Sequence, residues 1–353
     1  MFLKSMNVKN KILNFNTKVM LVVLIVFFVT EAEVHAGFPE NESDYYMEDE
    51  IVGHVHRPHV VRRYEWPEYK KDSIILKTNN LGFREDSDTN VKKLKDVIRI
   101  LVTGDSQIDG VVNNSESFPN VLEAQLNSTN QTFKFEVING GVGHYGFEHY
   151  ELFLHKYLFL KPDKYIVVIY TGNDFLDSAR IVEVELGFNG RPPQYLASLQ
   201  KCMHDGITSQ VMNQIYYFKT FPQMREKVIK HVIEIMLRVN ELCKQYKIDF
   251  MVVFLPTKAD VEWKTDNRRL EEEKECLGFS EADLSINKDL KDDLIKFLFQ
   301  HNIKYIDIYK DMVNKNVEFY WKKDYHLNDQ GHRFLADMVY EKCNEFLQVK
   351  PKR

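Results

Sequence analysis

The chain has 353 residues, 44% of them hydrophobic and 28% charged, with only 10 prolines and 15 glycines. That composition excludes a disordered, collagen-like or low-complexity protein and allows two ordinary domains or one large α/β domain with additions. A net charge of −5, from 47 Lys and Arg against 52 Asp and Glu, provides no basic excess to release counterions from a nucleic-acid backbone, so nucleic acid is not an expected partner.

The N-terminus reads as a targeting segment. Residues 19–29 (VMLVVLIVFFV) are uniformly apolar and follow Lys4, Lys9, Lys11 and Lys18. The run is shorter than the roughly 20 residues that span a bilayer, but it suits the core of a signal peptide. Val34-x-Ala36 before Gly37 supplies a small-residue processing site. Residues 1–36 are therefore expected to be a signal peptide, or a signal-anchor that attaches the chain to a membrane. The remainder is expected outside the cytoplasm: periplasmic, extracellular, or anchored facing outward.

Residues 37–96 are polar, aromatic and turn-rich, with short alternating stretches such as SIILKT, and predict a small β-rich lead-in. Within it, GHVHRPH holds His54, His56 and His59. Extended backbone puts His54 and His56 on one face, but no Cys partner stands nearby in sequence, and no metal is expected there.

The rhythm changes at about residue 97. IRILV predicts a buried strand ending in Gly-Asp-Ser, followed by a helical stretch at Phe118, Val121, Leu122 and Leu126. The strand FEVIN, a second helical stretch and the strand YIVVIY come next. After a segment at about 176–222 that breaks the pattern, a helix at about Gln223–Tyr246, the strand FMVVFLP, a helix near Lys288–Phe299, the strand KYIDIY and a last helix after Asn328 complete the order. Strands separated by helices predict a parallel sheet of about five strands covered on both faces, a three-layer α/β/α domain over 97–350. Cys202, Cys243, Cys276 and Cys343 are widely spaced and match no zinc pattern. In an oxidising compartment two disulfides with three pairings are open to them, beside free buried thiols.

In such sheets ligands bind beyond the carboxyl ends of the strands. Three of those ends are TGDSQIDG (103–110), NGGVGHYG (139–146) and TGNDF (171–175). A serine hydroxyl needs a base within reach and donors aimed at the developing oxyanion. Ser106 follows a buried strand and opens toward a helix, so its own N–H can serve as one donor. Asn173 offers a side-chain amide, and the Gly141–Gly146 loop offers backbone N–H groups. WKKDYHLNDQGH places His326 two residues after Asp324, so Asp324 can fix the imidazole while His326 takes the serine proton. Asp174 reads as a helix cap and His332 as a packing residue of the last helix. Trp321 and Tyr325 read as packing beside the base.

These blocks resemble, in order, those of the SGNH, or GDSL-type, hydrolase superfamily: ILVTGDSQIDG, VINGGVGHYG, YTGNDF and KDYHLNDQGH, over about Val97 to Leu347. Upstream, TNNLGFRED resembles an Asn-x-x-Gly-x-Arg lead-in found in many exported bacterial members. The resemblance implies a flavodoxin-like fold, with Ser106 as nucleophile, His326 as base and Asn173 as oxyanion donor. The second-block donor falls on His144 by direct register, with Gly143 one residue before it. The family's Asp-x-x-His becomes Asp-x-His here, because Lys323 occupies the usual Asp position. Asp324 is then the third member, a spacing that resembles polysaccharide O-acetyltransferases. No cofactor and no metal are implied.

The expected activity is hydrolysis of a short acyl ester, acetyl being favoured, of a carbohydrate or lipid through an acyl-serine. The alternatives are a polysaccharide O-acetyltransferase using the same triad and a catalytically silent surface-polymer-binding module. Intact Ser106, Asn173 and His326 argue against the last.

Overall fold

Apolar runs long enough to be buried on both faces become the central strands, and everything else is arranged around them. The computed structural model describes residues 44–129, 132–188, 191–202, 206–262, 268–322 and 324–347. The N-terminal apolar run, the processing site before Gly37 and Lys323 lie outside the described residues.

Two antiparallel hairpins come first, β1 (Tyr46–Asp49) with β2 (Gly53–His56) and β3 (Val61–Tyr64) with β4 (Ile74–Lys77). The chain then runs through β5 (Val97–Gly104), α1 (Ser106–Asp109), α2 (Phe118–Thr129), β6 (Lys134–Gly141), α3 (Phe147–Tyr157), β7 (Lys164–Tyr170) and α4 (Asp174–Glu185). Three helices follow, α5 (Pro193–Cys202), α6 (Gly206–Thr220) and α7 (Gln223–Tyr246), before β8 (Asp249–Leu255). The rest is α8 (Lys258–Glu262), α9 (Arg268–Cys276), α10 (Ile286–Gln300), β9 (Lys304–Asp307), α11 (Tyr309–Val313), α12 (Asp329–Lys342) and α13 (Asn344–Leu347).

β5 to β9 form one five-stranded, wholly parallel sheet in the order β6-β5-β7-β8-β9. The three-layer α/β fold expected from sequence is what forms, with the β-rich segment before it. Leu101, Ile138, Val167, Val252 and Phe254 face a core shared with α3, α4, α7 and α10. Ile100, Val102, Val137, Val168 and Val253 face the opposite core, shared with α2 and α12. Helix α7 buries Val228, Val232, Ile235, Val239 and Cys243 at helical spacing. It ends where Lys247 takes the left-handed φ of 58° and Ile248 N–H donates to Cys243 O at 2.8 Å, a Schellman stop.

The segment that broke the sequence rhythm is helical. α5 and α6 add Tyr195, Leu199, Met212, Ile215 and Phe218 to the first core. Its Cys202 is disulfide-bonded to Cys276 on α9, 74 residues away, while Cys243 and Cys343 are free and buried. Of the cysteine states left open by the sequence, one pair is bridged and two thiols are not.

Strand order fixes where the site lies. From β5 the chain moves outward to β6 and then crosses to β7 on the other side of β5. The order reverses between β5 and β7, so their carboxyl ends border the crevice of a flavodoxin-like sheet. A third core welds the hairpins to that end: Tyr45, Tyr64, Tyr69, Ile74 and Leu76 pack with Val111, Val112 and Trp321.

The Cys202–Cys276 bridge closes a 74-residue separation, which on chain-entropy grounds stabilises the fold by about 4 kcal/mol. Urea unfolding of the full chain with and without reductant, and of Cys202→Ser, is expected to show a loss approaching that size. Equal midpoints would remove the bridge.

Candidate active site

Ser106 stands at the first turn beyond β5. Asp105 precedes helix α1, and its Oδ1 accepts from Gln107 N at 2.9 Å. α1 can lie against the end of β6 because residue 141 is glycine: a Cβ there would collide with Ile108 and with Asp109 N. Ser106 is half-buried.

His326 lies just before α12, whose start is capped by Asn328 Oδ1 accepting from Gly331 N at 2.9 Å. Asp324 Oδ1 faces His326 Nδ1 at 2.6 Å and accepts from His326 N, also at 2.6 Å. One carboxylate oxygen thus fixes both the backbone and the ring. Burial opposes ionisation of Asp324, but the facing imidazole outweighs it and holds the carboxyl below its usual range. Burial likewise opposes protonation of His326, and the Asp324 charge and hydrogen bond outweigh it, raising the imidazole above its ordinary 6.5.

Gln107 brings the two loops together. Its side chain is wholly buried; Nε2 donates to Tyr325 O at 3.0 Å and Oε1 accepts from Leu327 N at 3.0 Å. The amide beside Ser106 therefore grips the backbone on both sides of His326. The link runs through Gln107 rather than through the Ser106 hydroxyl, which makes no hydrogen bond to a described residue. The fields of Asp105 and Asp109, at either end of the α1 turn, both act on His326.

Asn173 precedes α4, but its side chain does not cap that helix. Its Nδ2 donates to Asp177 Oδ2 at 3.1 Å. Asp174, read from sequence as a cap, instead accepts from Tyr150 Oη at 2.8 Å and from Tyr170 N at 3.1 Å, tying α4 to α3 and β7. Burial, and then the charge of Asp105, raise the Asp174 carboxyl well above the usual range. Asp105 itself is pushed up to about 7 by burial.

In the second block, Gly143 and His144 part company. Gly143 is buried, and a Cβ on it would stand 2.6 Å from Tyr46 Oη, whereas His144 is exposed and takes the left-handed φ of 65°. His54 Nε2 and Gly143 O are 2.8 Å apart. Burial drops the His54 imidazole to about 4, so the ring is neutral and donates through Nε2. The N–H of the peptide so held belongs to His144 and leaves from its opposite edge.

The lead-in grips the other end of α1. Asp109 faces His56 Nε2 at 3.1 Å and Arg84 Nη1 at 3.2 Å, and accepts from Tyr45 Oη at 3.2 Å and Tyr46 Oη at 3.3 Å. Burial opposes its ionisation, but His56 and Arg84 hold the carboxyl down at about 2. Arg84, fully buried, also donates to the backbone oxygens of Asp109, Gly110 and Val112 and to Asn114 Oδ1. Of the three lead-in histidines, then, His54 and His56 serve the strand-end loops, and the exposed His59 lies 3.8 Å from Asp88. Among the described residues no group of three or more His, Cys, Asp or Glu side chains could hold a metal ion.

His332 is buried on α12, where its Nδ1 accepts from Phe118 N at 3.1 Å. Trp321 packs near Trp66 and Tyr69 and donates to Val111 O at 3.3 Å, and the Tyr325 ring lies 4.3 Å from that of His326. Sequence reasoning missed Gln107, Asp109, Asp177, His54 and Arg84 as parts of this site. The Arg of Asn-x-x-Gly-x-Arg signalled Arg84, and the position directly after Ser106 drew notice to the turn but not to the role of Gln107.

No protein-family model and no curated protein matches the chain. Solved structures similar to it include an acetyl xylan esterase, at 14% identity over 69% of this chain and 99% of that one, with a TM-score of 0.42. An esterase from Pseudoalteromonas sp. has 10% identity over 70% and 98%, with a TM-score of 0.41. A member of the lipolytic G-D-S-L family from Veillonella parvula has 15% identity over 69% and 97%, with a TM-score of 0.37.

Replacing Gln107 by Leu keeps the volume but strands Tyr325 O and Leu327 N in a buried place. Each orphaned group costs about 1–3 kcal/mol, so urea unfolding is expected to show a loss of about 2–6 kcal/mol. Hydrogen exchange at Leu327 N should accelerate with it; unchanged protection there would show that the grip does not hold the loop.

Proposed function

We propose that the chain is an exported SGNH-type serine esterase that removes a short acyl group, acetyl being favoured, from a carbohydrate or lipid. The observation that carries this reading is the Asp324–His326 pair at 2.6 Å, attached to the Ser106 turn by Gln107. Ser106 Oγ attacks the ester carbonyl while His326 Nε2 takes its proton, and Asp324 keeps Nδ1 as the hydrogen-bonded nitrogen. The oxyanion is met by the N–H of Ser106, a backbone N–H of the Gly143–His144 pair and Asn173 Nδ2. Collapse breaks the ester C–O bond, and His326 returns the proton to the leaving alcohol. Water, deprotonated by His326, then attacks the acyl-serine and releases the acid and Ser106.

A second reading, an O-acetyltransferase, replaces that water with a carbohydrate hydroxyl, and the Asp-x-His spacing of Asp324 and His326 favours it. Incubating the full chain with p-nitrophenyl acetate, with and without an acceptor oligosaccharide, separates the two by whether acetate or acetylated sugar accumulates. The Cys202–Cys276 disulfide supports an oxidising compartment and so export. The expectation is a native N-terminus near Gly37 outside the cytoplasm; Met1 retained in a membrane fraction would indicate an anchor.

Ser106→Ala and His326→Ala are each expected to abolish nearly all turnover, and to do so non-additively because they act as one unit. Asn173→Ala should cost about 100- to 1000-fold in kcat. His326 must be neutral to accept the serine proton, and its raised value places the acid limb of the pH–rate profile above the ordinary histidine value. Asp324→Asn removes the charge that raises it, so that limb should move to lower pH while kcat falls steeply. Full activity of Ser106→Ala would end the hydrolase reading.

A further inference from the structure

A carboxamide has a donor end and an acceptor end of nearly the same shape, so its neighbours decide which end faces a ligand. For Asn173 the neighbours are few. Its Oδ1 is buried and makes no hydrogen bond among the described residues, while its Nδ2 donates to Asp177 Oδ2 at 3.1 Å. An ionised carboxylate only accepts, so Asp177 takes hold of the nitrogen and rejects the oxygen. One amide hydrogen goes to Asp177, and the second meets no acceptor among the described residues.

Asn173, Asp177 and Arg180 follow one another at i, i+4 and i+7 along one face of α4. Arg180 Nη1 stands 3.5 Å from Asp177 Oδ1, the oxygen that Asn173 does not use. This face meets the second block, because a Cβ on Gly146 would stand 3.3 Å from Asp177 Cβ. The field of Asp177 also reaches Asp105, beside the nucleophile, and Tyr325, beside the base.

We propose that Asp177 is a positioning residue: its carboxylate fixes the Asn173 amide so that nitrogen, not oxygen, is presented to the oxyanion. The proposal rests on the hydrolase reading above. Burial pushes the Asp177 carboxyl up to about 6, with Glu148 adding to the rise and Arg180, Arg191 and the Asn173 hydrogen bond opposing it. At neutral pH and above the group is therefore mainly ionised and still an acceptor. Arg180 on its outer oxygen offsets part of a negative charge that would otherwise oppose the oxyanion. Asn at position 177 would keep the shape but could donate or accept, leaving both orientations of Asn173 open.

The test is a double-mutant cycle on the full chain with p-nitrophenyl acetate as probe, using Asp177→Asn, Asn173→Ala and the double variant. Asp177→Asn is expected to lower kcat by about 10- to 100-fold, as loss of an outer orienting partner does elsewhere, with little change in KM. In the Asn173→Ala background the same substitution should change kcat by less than about 3-fold, since the amide it positions is gone. The urea midpoint should not fall, because a carboxyl whose value is raised by folding does not stabilise the fold when ionised. An equal cost in both backgrounds, or a loss that follows a lowered midpoint, overturns the positioning role. An inert Asn173→Ala beside a dead Ser106→Ala overturns it by removing the donor while leaving the hydrolase reading standing; an active Ser106→Ala removes that reading as well.

Discussion

The buried pairing of Arg84 with Asp109 is the constraint on which the site depends. Taking both charges out of water costs several kcal/mol per ion unless every donor and acceptor is met. Here they are met from both sides: Arg84 reaches the carbonyls of Asp109, Gly110 and Val112 in the turn that follows Ser106, and Asp109 collects Tyr45, Tyr46 and His56 from the lead-in. Such a network is favourable when complete and costly when partial. The hairpins cannot leave without stranding a charge in the turn that follows Ser106, so the lead-in is part of the candidate site's foundation.

Two aspartates at either end of one helical turn show how far surroundings decide charge. At Asp105 burial outweighs the opposing Gln107 N–H and His326 and raises the carboxyl to about 7; Asp109, equally buried, is held near 2 by His56 and Arg84. The consequence falls on His326, which feels both fields together with that of Asp324. Asp109 contributes a fixed negative charge over the working range, whereas that of Asp105 changes near neutrality. His326 thus sits where its protonated form is favoured, which suits its proposed role of taking the serine proton.

Much of this was readable in the sequence because the signals are local. Apolar runs of strand length gave the parallel sheet, the 3.6-residue periodicity gave Gln223–Tyr246 as one helix, and the ordered blocks singled out as candidates Ser106, Gly143, His144 and Asn173 beyond three strand ends and Asp324 with His326 just before α12. What was not readable is partnership. The bonds of Gln107 cross 218 and 220 positions, and the contact of His54 with Gly143 O crosses 89. No periodicity encodes such pairings. His54 and His56 were visible only as an alternating pair, because their partners lie in other strand-end loops. The pairing of Cys202 with Cys276 was equally invisible, since it depends on how α5 meets α9. Asp174 misled for a different reason: an Asp at a helix start usually caps it, but here a tyrosine hydroxyl and the end of β7 claim the carboxylate first.

The candidate reactive groups therefore sit on short loops, while what holds them comes from the residue next door or from another segment: Gln107 for the His326 loop, Asp177 for Asn173, and His54 for the Gly143 peptide. In the proposed mechanism water and a sugar hydroxyl would meet the same acyl-serine, so the proposed triad does not choose between them. That choice belongs to the surfaces bordering the crevice. On one side stands the lead-in hairpin, with Tyr46 against Gly143 and the exposed His144 beside it; on the other stands α4, with Asp177 and Arg180. Both borders are polar, and each touches a proposed oxyanion donor, the Gly143 peptide or Asn173, so under that proposal an acceptor bound there would also bear on the donors' geometry and couple acceptor specificity to rate.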